Sequence, residues 1–315
     1  KDVRYSVERL ENLVDYELTE PNVYILDFCK YSLNGSEYSE EQYFIHADDS
    51  IREALGMPLR GGKMCQPWFE PLDKNPKETV KLRYVIHSEI NYSGAELALE
   101  SIDYAKVTFN GEPVDMTKTG YYVDEEAIKK IRLPEIKAGH NELTVEYKYG
   151  LITQIEAMFI LGDFGVRSIG AYNTIVPRQE KLAYDDICPQ GLPFYGGNII
   201  YKTKFSGKGH TLVRINKYRG AALKVRLDGQ DRGIIAYPPY IVDLGELSEG
   251  EHSLDVTFFG NRFNTFGAIH NSHQEGFLSG PSSWRPGYSS TEYSRAYLKK
   301  KTGLLVEPQI LREKD

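Results

Sequence analysis

One stretch of this chain occurs twice, and the repeat restricts the fold more than any other feature. Ala105-Lys106-Val107-Thr108-Phe109-Asn110-Gly111 is matched by Leu223-Lys224-Val225-Arg226-Leu227-Asp228-Gly229. Each copy alternates apolar and polar residues with period two, the pattern of a half-buried strand. Each then ends in Asn-Gly or Asp-Gly, which accept the two positive φ angles of a type I′ turn. The match continues from Tyr121-Tyr122-Val123-Asp124 to Tyr240-Ile241-Val242-Asp243. It resumes where residues 139–147 are answered by residues 250–258. Leu143, Val145, Tyr147 and Tyr149 alternate with Glu142, Thr144, Glu146 and Lys148, so one face turns to a core. Leu254, Val256 and Phe258 take the inward positions of the second copy.

A duplicated set of short strands and turns predicts an all-β chain of two consecutive β-sandwich or jelly-roll domains. The expected boundaries are 18–167 and 168–315, the second closing with Ala296-Tyr297-Leu298 and Gly303-Leu304-Leu305-Val306. Residues 1–17 read as a short helix or as a lead-in from an upstream domain. The length of 315 residues fits two domains of ~150 each. Aromatic residues favour strands, and the chain has 23 Tyr and 13 Phe. Beyond that option at 1–17, helix is expected at Asp49–Gly56, with Ser50 as N-cap, and at Asp124–Ile131.

Charge and cysteine usage narrow the function. With 38 basic and 45 acidic residues the net charge is −7, against a nucleic-acid or anionic-membrane partner. No stretch approaches the ~20 apolar residues that a membrane-spanning helix needs. Cys29, Cys65 and Cys188 make neither a disulfide framework nor a zinc spacing. Unpaired thiols suit a reducing cytoplasm, but the chain starts at Lys1 with no signal region, which leaves a secreted origin open. That start implies cleavage or excision from a longer protein.

Several further motifs form a set. Asn22-Val23-Tyr24-Ile25-Leu26-Asp27 is followed by Tyr31-Ser32-Leu33 and Gln66-Pro67-Trp68. Residues 191–197, Phe266-Gly267-Ala268-Ile269-His270, Trp284 and Gly303-Leu304-Leu305 complete it. Together these resemble the C-terminal region of large glycoside hydrolases that carry the family 2 sugar-binding domain, a galactose-binding-like jelly roll. The resemblance implies a non-catalytic accessory region, with the catalytic domain upstream as its partner and a carbohydrate as its ligand. It implies no cofactor beyond a structural calcium ion, for which Asp48-Asp49 and Asp185-Asp186 are the available donors. Ca²⁺ takes 6–8 oxygens, more than either pair supplies.

A sugar is gripped by a flat aromatic face and by planar polar groups that reach its hydroxyls. The stretch from Asn261 to Tyr293 has no counterpart in the first copy, and so long a loop is more often functional. It supplies Asn261, Arg262, Asn264, His270, Asn271, His273, Trp284, Arg285 and Tyr288, with Tyr237 and Tyr240 as a neighbouring aromatic rim. The same residues also suit a structural loop, with Phe263, Phe266 and Ile269 pinning it and His270 and Trp284 bonded to backbone. His270 and His273 lack a third ligand for a metal. Gln66–Pro71 is a second aromatic cluster, suited to a glycan or to a neighbouring domain. Lys299-Lys300-Lys301 reads as a solvated strand edge. Asp124 and Asp243 recur in both copies and read as turn residues. No local signature pairs two carboxylates for glycoside hydrolysis, and no nucleophile elbow is present. The readings left open are an accessory region, a free-standing carbohydrate-binding or adhesion module, and an all-β glycan-active enzyme.

Overall fold

The computed structural model describes residues 5–59, 75–153, 155–272 and 292–313. Both hairpins form where the repeat places them. Strand Ala105–Phe109 turns through Asn110 (φ 50°) and Gly111 (φ 86°) into Glu112–Pro113. Strand Ala222–Leu227 turns through Asp228 (φ 48°) and Gly229 (φ 77°) into Gln230–Ile235. The paired positive φ values are those of a type I′ turn. In each copy the first turn residue also clamps the next strand through its side chain. Asn110 Oδ1 accepts the Glu142 N–H at 2.9 Å, and Asp228 Oδ1 accepts the Ser253 N–H at 2.9 Å. The clamped strands, Gly139–Tyr149 and Ile241–Phe259, pair on their other side with Glu78–Ser88 and Ile199–Arg214. The repeat is thus one strand order used twice.

The chain divides into two compact units, and each draws on separated segments. Unit I comprises Val23–Pro177 and Gly267–Leu298; unit II comprises Lys1–Asn22, Arg178–Phe266 and Lys299–Asp315. This differs from the sequential division expected at residue 168. The 1–17 segment is strand rather than helix or lead-in: Tyr5–Arg9 pairs with Gln309–Glu313, and Leu13–Leu18 pairs with Ile199–Arg214. Strand pairing is non-local, so a segment's partner cannot be read from its own pattern.

Unit I is a sandwich of two sheets. One runs Lys118–Tyr122, Asp124–Arg132, Glu96–Leu99, Met158–Gly162 and Asn22–Leu26. The other is centred on Glu78–Ser88 and Gly139–Tyr149. Its inward residues Val80, Leu82, Leu143, Val145 and Tyr147 are buried as the alternation requires. Asp124–Ile131 is a correction: it is strand, not helix. Its residues 129–132 pair with 96–99, and Lys130 reaches Glu96 at 2.6 Å. A waiting sheet edge overrides helix propensity here. Asp124 is the turn residue expected, accepting the N–H groups of Glu126 and Ala127. The helix runs Phe44–Ala54, so it starts before Ser50, and its buried face is Phe44, Ala47 and Ile51. Gly56 at φ +65° ends it.

Unit II is built on two unusually long strands, Ile199–Arg214 and Ile241–Phe259. Their ladder shifts register between Gly207 and Gly209. Gly209, Gly245 and Gly250 take φ values of 73°, 83° and 149°, which side chains rarely adopt. Both halves of each strand therefore face one core: Ile199, Tyr201 and Val213 join Val242, Leu244, Leu254, Val256 and Phe258 there. Residues 296–298 and 299–301 form no strand, which corrects both the closing strand and the lysine edge. The other expected closing segment does form a strand, at Gly303–Leu304, which pairs with Tyr218–Arg219, and Gln309–Glu313 closes against Tyr5–Arg9.

Candidate functional site

Unit II carries an open groove of two adjoining hollows, about 480 and 360 Å³. Tyr218, Arg219 and Gly220 line both. Asn261, Phe263, Asn264 and Lys300–Thr302 complete one; Asn216, Lys217, Tyr240 and Leu305 belong to the other. Volumes of this order are those of small-molecule sites, roughly 300–1,000 Å³.

The walls are fixed by backbone bonds. Asn264 is buried, and its amide both donates to the Lys300 carbonyl (2.8 Å) and accepts the Lys300 N–H (2.9 Å). The Thr302 hydroxyl donates to the Arg219 carbonyl at 3.0 Å, and the Leu305 N–H donates to the Lys217 carbonyl at 3.0 Å. A Cβ at Gly220 would collide with the Phe258 ring and the Phe259 carbonyl, so the chain passes only as glycine. Beneath the wall Cys188 is buried, and desolvation pushes its thiol well above the ordinary range. It is a packed sulfur, not a nucleophile.

Over this frame stand Lys217, Arg219, Lys300 and Lys301, all exposed. The Lys300 ammonium lies 4.2 Å from the centre of the Phe263 ring, a cation–π contact. Tyr218 and Tyr240 meet edge-to-face at 6.3 Å, and burial raises the Tyr218 hydroxyl pKa. Lys299, half-buried beside the Phe194 ring, has its pKa lowered by burial. Cations, amides, hydroxyls and rings are a set suited to an oxygen-rich ligand. Two carboxylates for hydrolysis are not in the described lining.

The sequence-derived residues scatter. Asn261 and Tyr240 line the groove, and Tyr237 is 82% exposed just before Tyr240. Arg262 is committed to Glu20 by two bonds of 2.7 and 2.6 Å. His270 and Asn271 belong to unit I and are both buried. His273, Trp284, Arg285 and Tyr288 lie outside the described residues, as do Cys65 and the Gln66–Pro71 cluster. Lys217, Tyr218, Arg219, Lys300 and Lys301 were missed. A signal for them exists in the repeat: in its register the second copy has Lys217 and Arg219 before its hairpin where the first has Leu99 and Ser101.

His270 is part of a buried polar cluster. Its Nδ1 lies 2.8 Å from the Ser294 carbonyl and its Nε2 lies 3.0 Å from Asp27 Oδ2, so both nitrogens face acceptors. The Tyr297 hydroxyl donates to Asp27 Oδ1 at 2.6 Å, and burial holds that hydroxyl well above the usual tyrosine range. These bonds tie residues 294–297 to the strand end at Asp27. The cleft beside them, between Glu41, His87, Asn173 and Arg295, measures about 80 Å³, well below a ligand-sized pocket.

The acidic pairs do not fit a calcium ion. Asp48 is spent on Arg52 (2.8 Å) and the Tyr149 hydroxyl (2.7 Å). Asp186 accepts the N–H groups of Cys188 and Thr302, and Asp185 that of Asp186. Among the described residues no three His, Cys, Asp or Glu side chains converge as metal ligands.

No family model and no curated protein matches this chain. Among solved structures it is similar to a rhamnosidase from Novosphingobium sp. PP1Y, at 12% identity and a TM-score of 0.31, over 84% of this chain and 26% of that one. It is similar to a GH2 beta-galacturonidase from Eisenbergiella tayi, at 11% identity and a TM-score of 0.25, over 76% of this chain and 36% of that one. A beta-D-mannosidase from Dictyoglomus thermophilum follows, at 12% identity and a TM-score of 0.29, over 76% and 31%. This chain spans at most about a third of the length of each. Likeness this distant assigns neither family nor activity.

Proposed function

We propose that this chain is a non-catalytic accessory region of a multidomain glycoside hydrolase, and that the unit II groove is where it contacts carbohydrate. The observation that carries the reading is the groove's composition. Rings at Tyr218, Phe263 and Tyr240 stand beside the Asn216 and Asn261 amides on walls fixed by Asn264 and Thr302. Such rigidity cuts the ordering cost of binding. The resemblance of the sequence motifs to glycoside hydrolase accessory domains supports the same reading.

Affinity electrophoresis of the intact chain against a panel of neutral and acidic plant polysaccharides tests it. Retardation by at least one polysaccharide, reduced in Phe263→Ala, is the expected result. Free migration in every polysaccharide would overturn the carbohydrate reading.

A further inference from the structure

The groove is unusual in its charge. Unit II neutralises its surface cations repeatedly: Lys202 meets Glu17 at 2.7 Å, Lys204 meets Glu251 at 2.7 Å, and Lys208 meets Glu249 at 3.0 Å. Lys224 and Arg226 share Asp231, and Arg312 reaches Glu8. The groove cations differ. Among the described residues, no carboxylate lies within ion-pair distance of Lys217, Arg219, Lys300 or Lys301, and none of the groove's lining residues is acidic. This concentration of uncompensated positive charge stands on a chain whose net charge is −7.

Holding four cations on one rim costs repulsion that a neutral sugar would not relieve. Asp186, the carboxylate bonded to the wall at Thr302, also accepts the Cys188 N–H. The two cationic segments are also bound to each other, by the Thr302–Arg219 bond and by the pairing of Tyr218–Arg219 with Gly303–Leu304. Their charges are therefore set on a fixed frame, with a guanidinium able to take a carboxylate through two bonds. Resting on the carbohydrate reading above, we propose that the groove selects an acidic glycan, a polysaccharide that presents uronate carboxylates to Lys217, Arg219, Lys300 and Lys301. The aromatic faces of Phe263 and Tyr240 take the sugar rings, a role that a purely electrostatic anion site would not need.

The test compares polygalacturonate with its fully methyl-esterified form, which keeps the sugar backbone and loses the charge. Isothermal titration on the intact chain is expected to give at least tenfold weaker binding to the ester. Affinity for polygalacturonate is expected to fall steeply as salt is raised from 50 to 300 mM, roughly a Debye length from 14 to 6 Å. The Arg219→Gln/Lys301→Gln variant is expected to lose at least tenfold in affinity with its urea midpoint unchanged, since both side chains are exposed. Equal binding of acid and ester would overturn the charge selection while leaving the carbohydrate reading intact. Full affinity in the double variant would overturn the site. An oligonucleotide bound as tightly as polygalacturonate would make the groove a general anion surface and overturn selection for a glycan. Failure of every polysaccharide, neutral or acidic, would remove the reading on which the proposal rests.

Discussion

His270 carries two readings in sequence, a ligand contact or a side chain bonded to backbone, and its ring is buried with Asp27 and Tyr297, one nitrogen on the Ser294 carbonyl. The chemistry is internal: a buried polar group removed from water needs its hydrogen-bond partners, and leaving one unsatisfied costs about 1–3 kcal/mol. His270→Ala is accordingly expected to lower unfolding free energy by about that amount, measured by urea titration. A loss under 1 kcal/mol would mean that Asp27 finds water or another donor. His252 gives a pH dependence. Hydrogen bonds to Asp228, then to the Ser248 carbonyl, raise its pKa above the usual 6.5. His252 likewise lowers Asp228 below its usual 3.8. A raised histidine stabilises fully below pH 6.5 and loses that contribution as pH climbs through the folded value. The lowered carboxyl contributes above pH 3.8 and loses it as pH falls through its own folded value. Wild type should therefore exceed His252→Gln in urea midpoint by more at pH 5.5 than at pH 8. An equal margin at both would remove the pair from the stability account.

At the scale of elements, what the sequence reveals is what local chemistry decides. The Asn110-Gly111 and Asp228-Gly229 turns need positive φ, and the 143–149 and 254–258 alternations need one buried face, so both hairpins and both central strands were readable. Asp124–Arg132 was not, because its strand state is imposed by the 96–99 edge beside it. Nor was the role of Lys299–Lys301, which depends on Asn264 gripping Lys300 from 36 positions away. That grip is itself testable. Asn264→Ala removes both bonds that hold the Lys300 backbone at a part-buried position and is expected to cost about 1–3 kcal/mol of stability. The same variant should weaken polysaccharide retention, because the wall carrying Lys300 and Lys301 loses its anchor. Loss of stability with unchanged retention would separate the wall from the site.

Across the whole molecule, the two copies share one frame and differ in the side chains set on it. The two copies share a strand order, a turn type and a side-chain clamp, yet only the second has Lys217 and Arg219 ahead of its hairpin. The discontinuous make-up of the units lay beyond sequence reading, since the 1–22 and 299–315 segments reveal their place only through partners far along the chain. One consequence is that the 299–302 wall reaches the groove after the chain has contributed residues 267–298 to unit I. The most direct measurement is hydrogen–deuterium exchange of the intact chain with and without oligogalacturonate. Slowed exchange at 216–221 and 299–305, with the Glu41–Arg295 cleft unchanged, is the expected result. No slowing in those two segments while the oligosaccharide is bound would contradict the assignment of the groove.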